Sequence, residues 1–402
     1  MISSLLARLA PARAGDAPES PRRAPAPAAA AARPPAGTPR GRAKLRDWAE
    51  LLRVSALFTV PGDALAGAAA VGLRPNRGTA LAMGASLCLY EAGMALNDWA
   101  DTAEDAVDRP HRPIPSGRIS PRAALGAAGV LTAAGLTLAA RAGRPALAVA
   151  TALSATVWAY DLRLKHTKAG PTAMAAARGL DVLLGATATL SAATDSPRPG
   201  GVPSPAPSRG PRRGAAVDGT GAGPGRTYPA APGRGAAAQR TEATPPVSRQ
   251  GFGEGWGGGS SIPPRTALRA SAPAAAMLAA HTYAVTSVSR HEAQGGSTLV
   301  PLAALAGTAV LGVLAGRPRG AAAATAPALL AAAYLRTAAT GYLHAALNPS
   351  PPLTQRAVGG GIRAMIPFQA ALAARSGAGG IGLAVMGLVP LARTLARKVS
   401  LT

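Results

Sequence analysis

The stretch from Met94 to Ser120 reads MALNDWADTAEDAVDRPHRPIPSGRIS, and its reading decides the fold. It begins at the end of an apolar run, then gathers five acidic residues and three arginines within a few turns. Asn97, Asp101 and Asp105 stand at i, i+4 and i+8, and Asp98 lies three and seven positions before the two later aspartates. On a helix all four side chains share one side. Carboxylates crowded on one face repel each other unless cations join them. Oxygen ligands suit a hard cation, and Mg²⁺ is commonly held by a few carboxylates together with phosphate oxygens. A solvated acidic helix end is the plainer alternative. The place at the mouth of an apolar run, with RPHRPIPSGR following at once, favours the metal site.

Outward from this stretch the chain is a series of apolar runs. A membrane span needs roughly 20 mostly apolar residues. Candidate spans cover 51–73, 78–97, 121–140, 144–160, 171–192, 268–288, 298–316, 320–346 and 377–396. A weaker one at 357–374 carries Arg363 and Pro367 and is either a further span or an interfacial helix. The fold class expected is all-α, a polytopic membrane bundle. Abundant Gly and Ala let such helices approach closely. Residues 1–45, rich in Ala, Pro and Arg, read as a disordered tail without an uninterrupted signal-peptide core. Residues 194–266 have almost no Leu, Ile or Val and read as a disordered insertion. They divide the bundle into parts at 46–193 and 267–402.

The net charge of +24 raises nucleic acid as a partner, but only 3% of residues are aromatic and none interleaves with the arginines. The basic residues instead flank apolar runs, as they do on the cytoplasmic side of membrane proteins. With the N-terminus inside, the loops at 98–120, 161–170 and 289–297 are cytoplasmic. The single cysteine, Cys88, has no partner for an internal disulfide and reads as a small apolar residue.

The sequence resembles a known family at this point. NDWADTAED, Asn97 to Asp105, fits the NDxxDxxxD signature of the UbiA-type intramembrane prenyltransferases, and DRPHRPIPSGRIS fits the segment after it. The resemblance covers 51–193 and 268–395 and is strongest to an actinobacterial branch grouped with EboC-like proteins. It implies about nine helices around a central cavity, a prenyl diphosphate donor and Mg²⁺, with Asn97, Asp98, Asp101 and Asp105 as the metal side. WAYDLRLKHTKAGP, starting at Trp158, looks like the family's tyrosine–lysine segment. By that likeness Lys165 holds the diphosphate and Tyr160 faces the reacting carbon. Arg163, Lys165 and Lys168 are cations without acceptor atoms, which suits a phosphate. Arg112 joins the clamp. The third loop, HTYAVTSVSRHEAQGG, stands where the family has a second aspartate-rich motif. Here it offers Arg290 as a diphosphate contact and Glu292 as its sole carboxylate, which puts a second metal in doubt. His281 and His291 read as polar helix-end residues.

Four ionisable residues fall inside apparent spans: Asp63, Glu91, Arg178 and Asp181. Intramembrane charge is costly and usually faces a cavity. Arg178 and Asp181, at i and i+3, read as a pair; Asp63 and Glu91 stand as contacts to an acceptor or as packing polarity. The function expected is transfer of an isoprenoid group to an unidentified, lipophilic acceptor in the cell membrane, with release of pyrophosphate. A non-catalytic lipid-binding or trafficking component with the same fold is the competing expectation. A transporter fits less well, because no internal repeat is visible and the charge lies on one side.

Overall fold

The helix on which the acidic motif begins, α3 (Arg77–Ala100), starts on a reciprocal cap. The Asn76 side chain accepts from Thr79 N at 3.2 Å, and Thr79 Oγ1 accepts from Asn76 N at 3.0 Å. Two of the orphan donors at the helix start are thereby satisfied. The structure is a computed structural model that describes residues 40–195, 264–292, 296–319, 323–390 and 394. Most of the expected tail and of the expected insertion lie outside the described residues, and the last six residues of the expected tail, 40–45, are the start of α1.

In chain order the elements are α1 (Arg40–Leu51), a 3-10 segment (Val54–Thr59), α2 (Val60–Ala70), α3 (Arg77–Ala100) and α4 (Thr102–Asp108). Then come α5 (Pro121–Ala142), α6 (Arg144–Ala159), a π segment (Tyr160–Leu164) and α7 (Gly170–Asp195). The second part holds α8 (Pro264–Ser289), α9 (Leu299–Gly316), α10 (Thr325–Leu347), α11 (Pro351–Arg375) and α12 (Gly379–Met386). Contacts divide the chain at Arg46/Asp47. The start of α1 belongs to the first unit, and the helical bundle is the second.

Among the described residues five helices are long and apolar enough to cross a membrane: α3, α5, α7 to Thr194, α9 and α11. The weak candidate at 357–374 is α11, with 83% of its apolar window buried, so it is an interior helix and not an interfacial one. The expected span over 51–73 is broken instead. α1 ends at Leu51, and Arg53 takes a left-handed conformation, φ 48° and ψ 46°, that turns the chain before the 3-10 segment. Pro61 then sits in the first turn of α2, where its missing N–H costs no hydrogen bond.

Small residues set the packing of the first part. The core between α2, α3, α5, α6 and α7 is built of Ala64, Ala82, Ala85, Ala139, Ala146 and Ala188 around Leu89, Leu153 and Leu184. A Cβ on Gly185 would lie 2.4 Å from Ala64 Cα, and one on Gly67 would lie 2.2 Å from Val182 O. α2 and α7 therefore touch backbone to backbone, the close approach that glycine permits in membrane bundles. The second part packs larger side chains. Tyr334 of α10 stacks on Phe368 of α11, ring centroids 4.3 Å apart. His281 is fully buried beside this pair, with Nδ1 3.0 Å from Tyr334 OH and Nε2 3.0 Å from Gly361 O. That corrects its reading as a helix-end residue: it ties α8 to α10 and α11. A third cluster, Leu51, Leu96, Ile114, Ile119 and Ala124, anchors the loop after the acidic motif against the end of α3.

Candidate active site at the cavity mouth

A cavity of about 540 Å³ opens among α3, α6, α7 and α8. Its middle is apolar, with Leu89, Met94, Leu153, Val157 and Met174 on the walls. Its mouth carries Asn97, Asp101, Tyr160, Asp161 and Lys165, together with Arg53, Arg109, Arg112 and Arg290. At the far end stand Ser86, Arg178 and Asp181. Ser86 precedes Asn97 by eleven residues on α3, or about 16 Å at 1.5 Å per residue.

The π segment explains how the second loop reaches this mouth. Lys165 N bonds Tyr160 O at 3.0 Å, an i→i+5 closure, and this wider turn brings Lys165 back over Tyr160. Single π turns recur at functional sites. Lys165 Nζ then donates to Asp101 Oδ1. Asp161 is buried, and Asn97 Nδ2 donates to its Oδ1 at 3.2 Å. Burial pushes the Asp161 carboxyl up to about 7, against the opposing pulls of the Asn97 hydrogen bond and Lys165. The sequence reading passed over Asp161. The signal was there: an acid directly after Tyr160, in a loop otherwise basic.

The four motif side chains do not converge on one point. Asn97 and Asp101 line the cavity. Asp98 is buried beneath arginines, its Oδ1 2.9 Å from Arg53 Nη2 and 3.3 Å from Arg112 Nη1. Asp105 is also buried, 2.7 Å from Arg112 Nη1 and 3.8 Å from Arg109 Nε. The left-handed turn at Arg53 is what aims its guanidinium at Asp98. Asp98 and Asp105 thus hold arginines at the mouth. Arg118 fixes the same loop from behind, reaching Asp47 at 2.6 Å, Glu50 at 2.8 Å and His111 O at 2.7 Å.

Oxygen and nitrogen ligands do meet elsewhere. One ligand atom each from Asp101, Glu104 and His166 lie within 4.8 Å of one another. Neither Glu104 nor His166 was singled out from sequence, since the two belong to different loops. In the third loop Arg290 lines the cavity, and its Nη1 donates to Thr167 O. Glu292 does not line it; burial raises its carboxyl pKa, opposed by Arg109. Arg163 is exposed and outside the lining.

Within the bundle, Arg178 pairs with Asp63 rather than with Asp181. Gln369 Nε2 donates to Asp63 Oδ1 and to Thr59 O, both at 2.7 Å, and Ser86 donates to Asp181. Asp63 is therefore held by Arg178 and Gln369, and it does not line the cavity. Glu91 is buried, lies outside the lining and finds no hydrogen-bond partner among the described residues.

Residues 55–205 match the UbiA prenyltransferase family model. Over that stretch the chain is similar to the UbiA prenyltransferase family. The matched stretch contains the acidic motif, the π segment and the whole of α7. Similar curated proteins include the digeranylgeranylglyceryl phosphate synthase of Methanopyrus kandleri, 39% identical over 128 residues, covering 31% of this chain and 45% of that one. The synthase of Methanothrix thermoacetophila is 42% identical over 106 residues, covering 26% and 40%. The chain thus spans less than half the length of these relatives. Two solved structures are also matched. One is of a digeranylgeranylglyceryl phosphate synthase in membranes, with TM-score 0.48, 14% identity and coverage of 83% of this chain and 99% of that one. The other is the apo structure of a UbiA homolog from Aeropyrum pernix K1, with TM-score 0.49, 15% identity and coverage of 79% and 96%.

Proposed function

We propose that the chain is an integral membrane prenyltransferase. It moves an isoprenoid group from a prenyl diphosphate to an acceptor and releases pyrophosphate. One observation carries this reading: side chains of three separate loops meet at the mouth of a cavity whose middle is apolar. A diphosphate needs the first and its hydrocarbon chain needs the second. The UbiA family match supports the reading. The relatives' name, a synthase of digeranylgeranylglyceryl phosphate, supports a lipophilic acceptor.

The donor set fits one hard cation. Asn97, Asp101 and Asp161 offer oxygens to the same cavity, and Glu104 and His166 stand beside Asp101. A bound Mg²⁺ would supply charge neutralisation to the leaving group. Lys165, Arg112 and Arg290 bind the diphosphate, each offering N–H donors without acceptors. As the allylic C–O bond ionises, the charge that develops on the diphosphate falls among these preorganised cations. Leu89, Leu153, Val157 and Met174 exclude water from the carbocation, and Tyr160 stands at the boundary between charged mouth and apolar wall. The site belongs in the cell membrane, with the motif loops on the cytoplasmic side, as the flanking basic residues indicate.

The test is product analysis. Membranes containing the protein are given a panel of prenyl diphosphates, with and without Mg²⁺, and lipids are examined by mass spectrometry. A new prenylated species with matching pyrophosphate release supports the reading. Tight donor binding with neither product nor pyrophosphate points instead to a lipid-binding role.

A further inference from the structure

The acidic motif meets cations of the chain itself. Asp98 is held by Arg53 and Arg112, Asp105 by Arg112 and Arg109, and Asp101 by Lys165. A metal ion arriving alone has to compete with a guanidinium or an ammonium for each of these carboxylates. Arg290 is different. It lines the same mouth, its guanidinium donates to the Thr167 carbonyl, and it makes no ion pair among the described residues. An unpaired guanidinium at a cavity mouth attracts an anion, and its planar fork suits a phosphate.

We propose that ligands enter this site in order: the diphosphate lands first on Arg290, and the metal follows. A diphosphate held at Arg290 lies within the ring of Arg109, Arg112 and Lys165, and draws these cations from the carboxylates toward itself. Asp101 is then released from Lys165 and faces the phosphate oxygens. Carboxylate and phosphate oxygens together make the set that a hard cation prefers. The metal therefore binds weakly before the diphosphate and tightly after it. Linkage makes the effect reciprocal, so the metal strengthens diphosphate binding by the same factor. This ordering rests on the prenyl diphosphate reading and deepens it.

The full-length protein in nanodiscs supplies the test. The probes are a non-hydrolysable prenyl thiolodiphosphate, followed by calorimetry in EDTA, and Mn²⁺, followed by its free-ion spin resonance signal. The analogue should bind wild type in EDTA. Its presence should tighten Mn²⁺ binding by at least about fivefold, the lower end of ordinary coupling between sites. Arg290→Gln should weaken analogue binding in EDTA by about tenfold or more, on the scale of a lost charged hydrogen bond. Arg290→Lys, which keeps the charge, should weaken it less. The Mn²⁺ comparison uses wild type and stands even if the Gln variant fails to fold. Mn²⁺ affinity that is equal with and without the analogue overturns the ordering. So does analogue binding that appears only once metal is present. Analogue that binds under no condition removes the prenyl diphosphate reading itself, a different outcome.

Discussion

Asn97 and Asp161 join the first and second loops directly, Asn97 Nδ2 donating to Asp161 Oδ1 at 3.2 Å inside the cavity mouth. The bond spans 64 residues of sequence and turns one end of the acidic motif toward the tyrosine–lysine segment. Burial holds the Asp161 carboxyl up at about 7. A carboxyl whose pKa is raised on folding binds its proton more tightly in the folded state. Its stabilising effect is complete below the unfolded pKa and is lost as pH rises through the folded one. In EDTA, wild type should therefore lose thermal stability between about pH 4, the unfolded range, and pH 7 by more than Asp161→Asn does. Melting curves at pH 5 and pH 8 check this. A wild-type-to-variant gap that is the same at both pH values contradicts it.

The ion pair of Arg178 with buried Asp63 gives a second prediction. Arg178→Met leaves the Asp63 charge uncompensated, and removing one partner of a buried pair costs about 3–5 kcal/mol. Adding Asp63→Asn should restore part of the loss, because the stranded charge is then gone. Thermal unfolding of the single and double variants in detergent measures both. A double variant less stable than Arg178→Met alone counts against the pairing.

Much of this arrangement was legible in the sequence because it follows local periodicity. The i, i+4 spacing put Asn97 and Asp101 on the side that lines the cavity, and the apolar runs marked α3, α5, α7, α9 and α11, whereas the break between α3 and α4 at Asp101 carries Asp105 away to Arg112. What was not legible depends on tertiary contacts. Spacing alone does not show that Arg53, 45 residues upstream, reaches Asp98, nor that Arg178 prefers Asp63 over its own helix neighbour Asp181. The break at Arg53 was hidden because a left-handed arginine leaves no mark in an apolar pattern. Asp161 was overlooked because the basic residues around it dominate the loop.

Close helix contact predicts a further result. Gly185→Val places side-chain atoms against the Ala64 backbone, where even a Cβ would lie 2.4 Å from Cα and 2.6 Å from O. Backbone cannot yield as a side-chain tip does, so overpacking should cost about 1–3 kcal/mol or more. A Cβ on Gly129 meets nothing within 4 Å, and Gly129→Ala should leave stability unchanged or slightly raised. Melting temperatures of the two variants decide; equal values sink the α2–α7 contact.

Sidedness is testable through the lone cysteine. In a Cys88→Ala background, single cysteines in 98–120, 161–170 and 289–297 should all label from the cytoplasmic side. These loops contribute Asp101, Lys165 and Arg290 to one cavity mouth. Labelling of any two loops from opposite faces breaks the shared site.

The most direct test of the central claim compares pyrophosphate release by purified wild type and Asp101→Ala, given a prenyl diphosphate, an acceptor lipid extract and Mg²⁺. Asp101 lines the cavity and is only partly buried, so its removal should leave folding intact. Turnover should fall by about 10²-fold or more, the scale of losing one electrostatic stabiliser. Melting curves should show both proteins folded, the variant at most somewhat less stable for the loss of its pair with Lys165. Equal turnover in the two proteins, with both folded, would contradict the prenyltransferase site proposed at this cavity mouth.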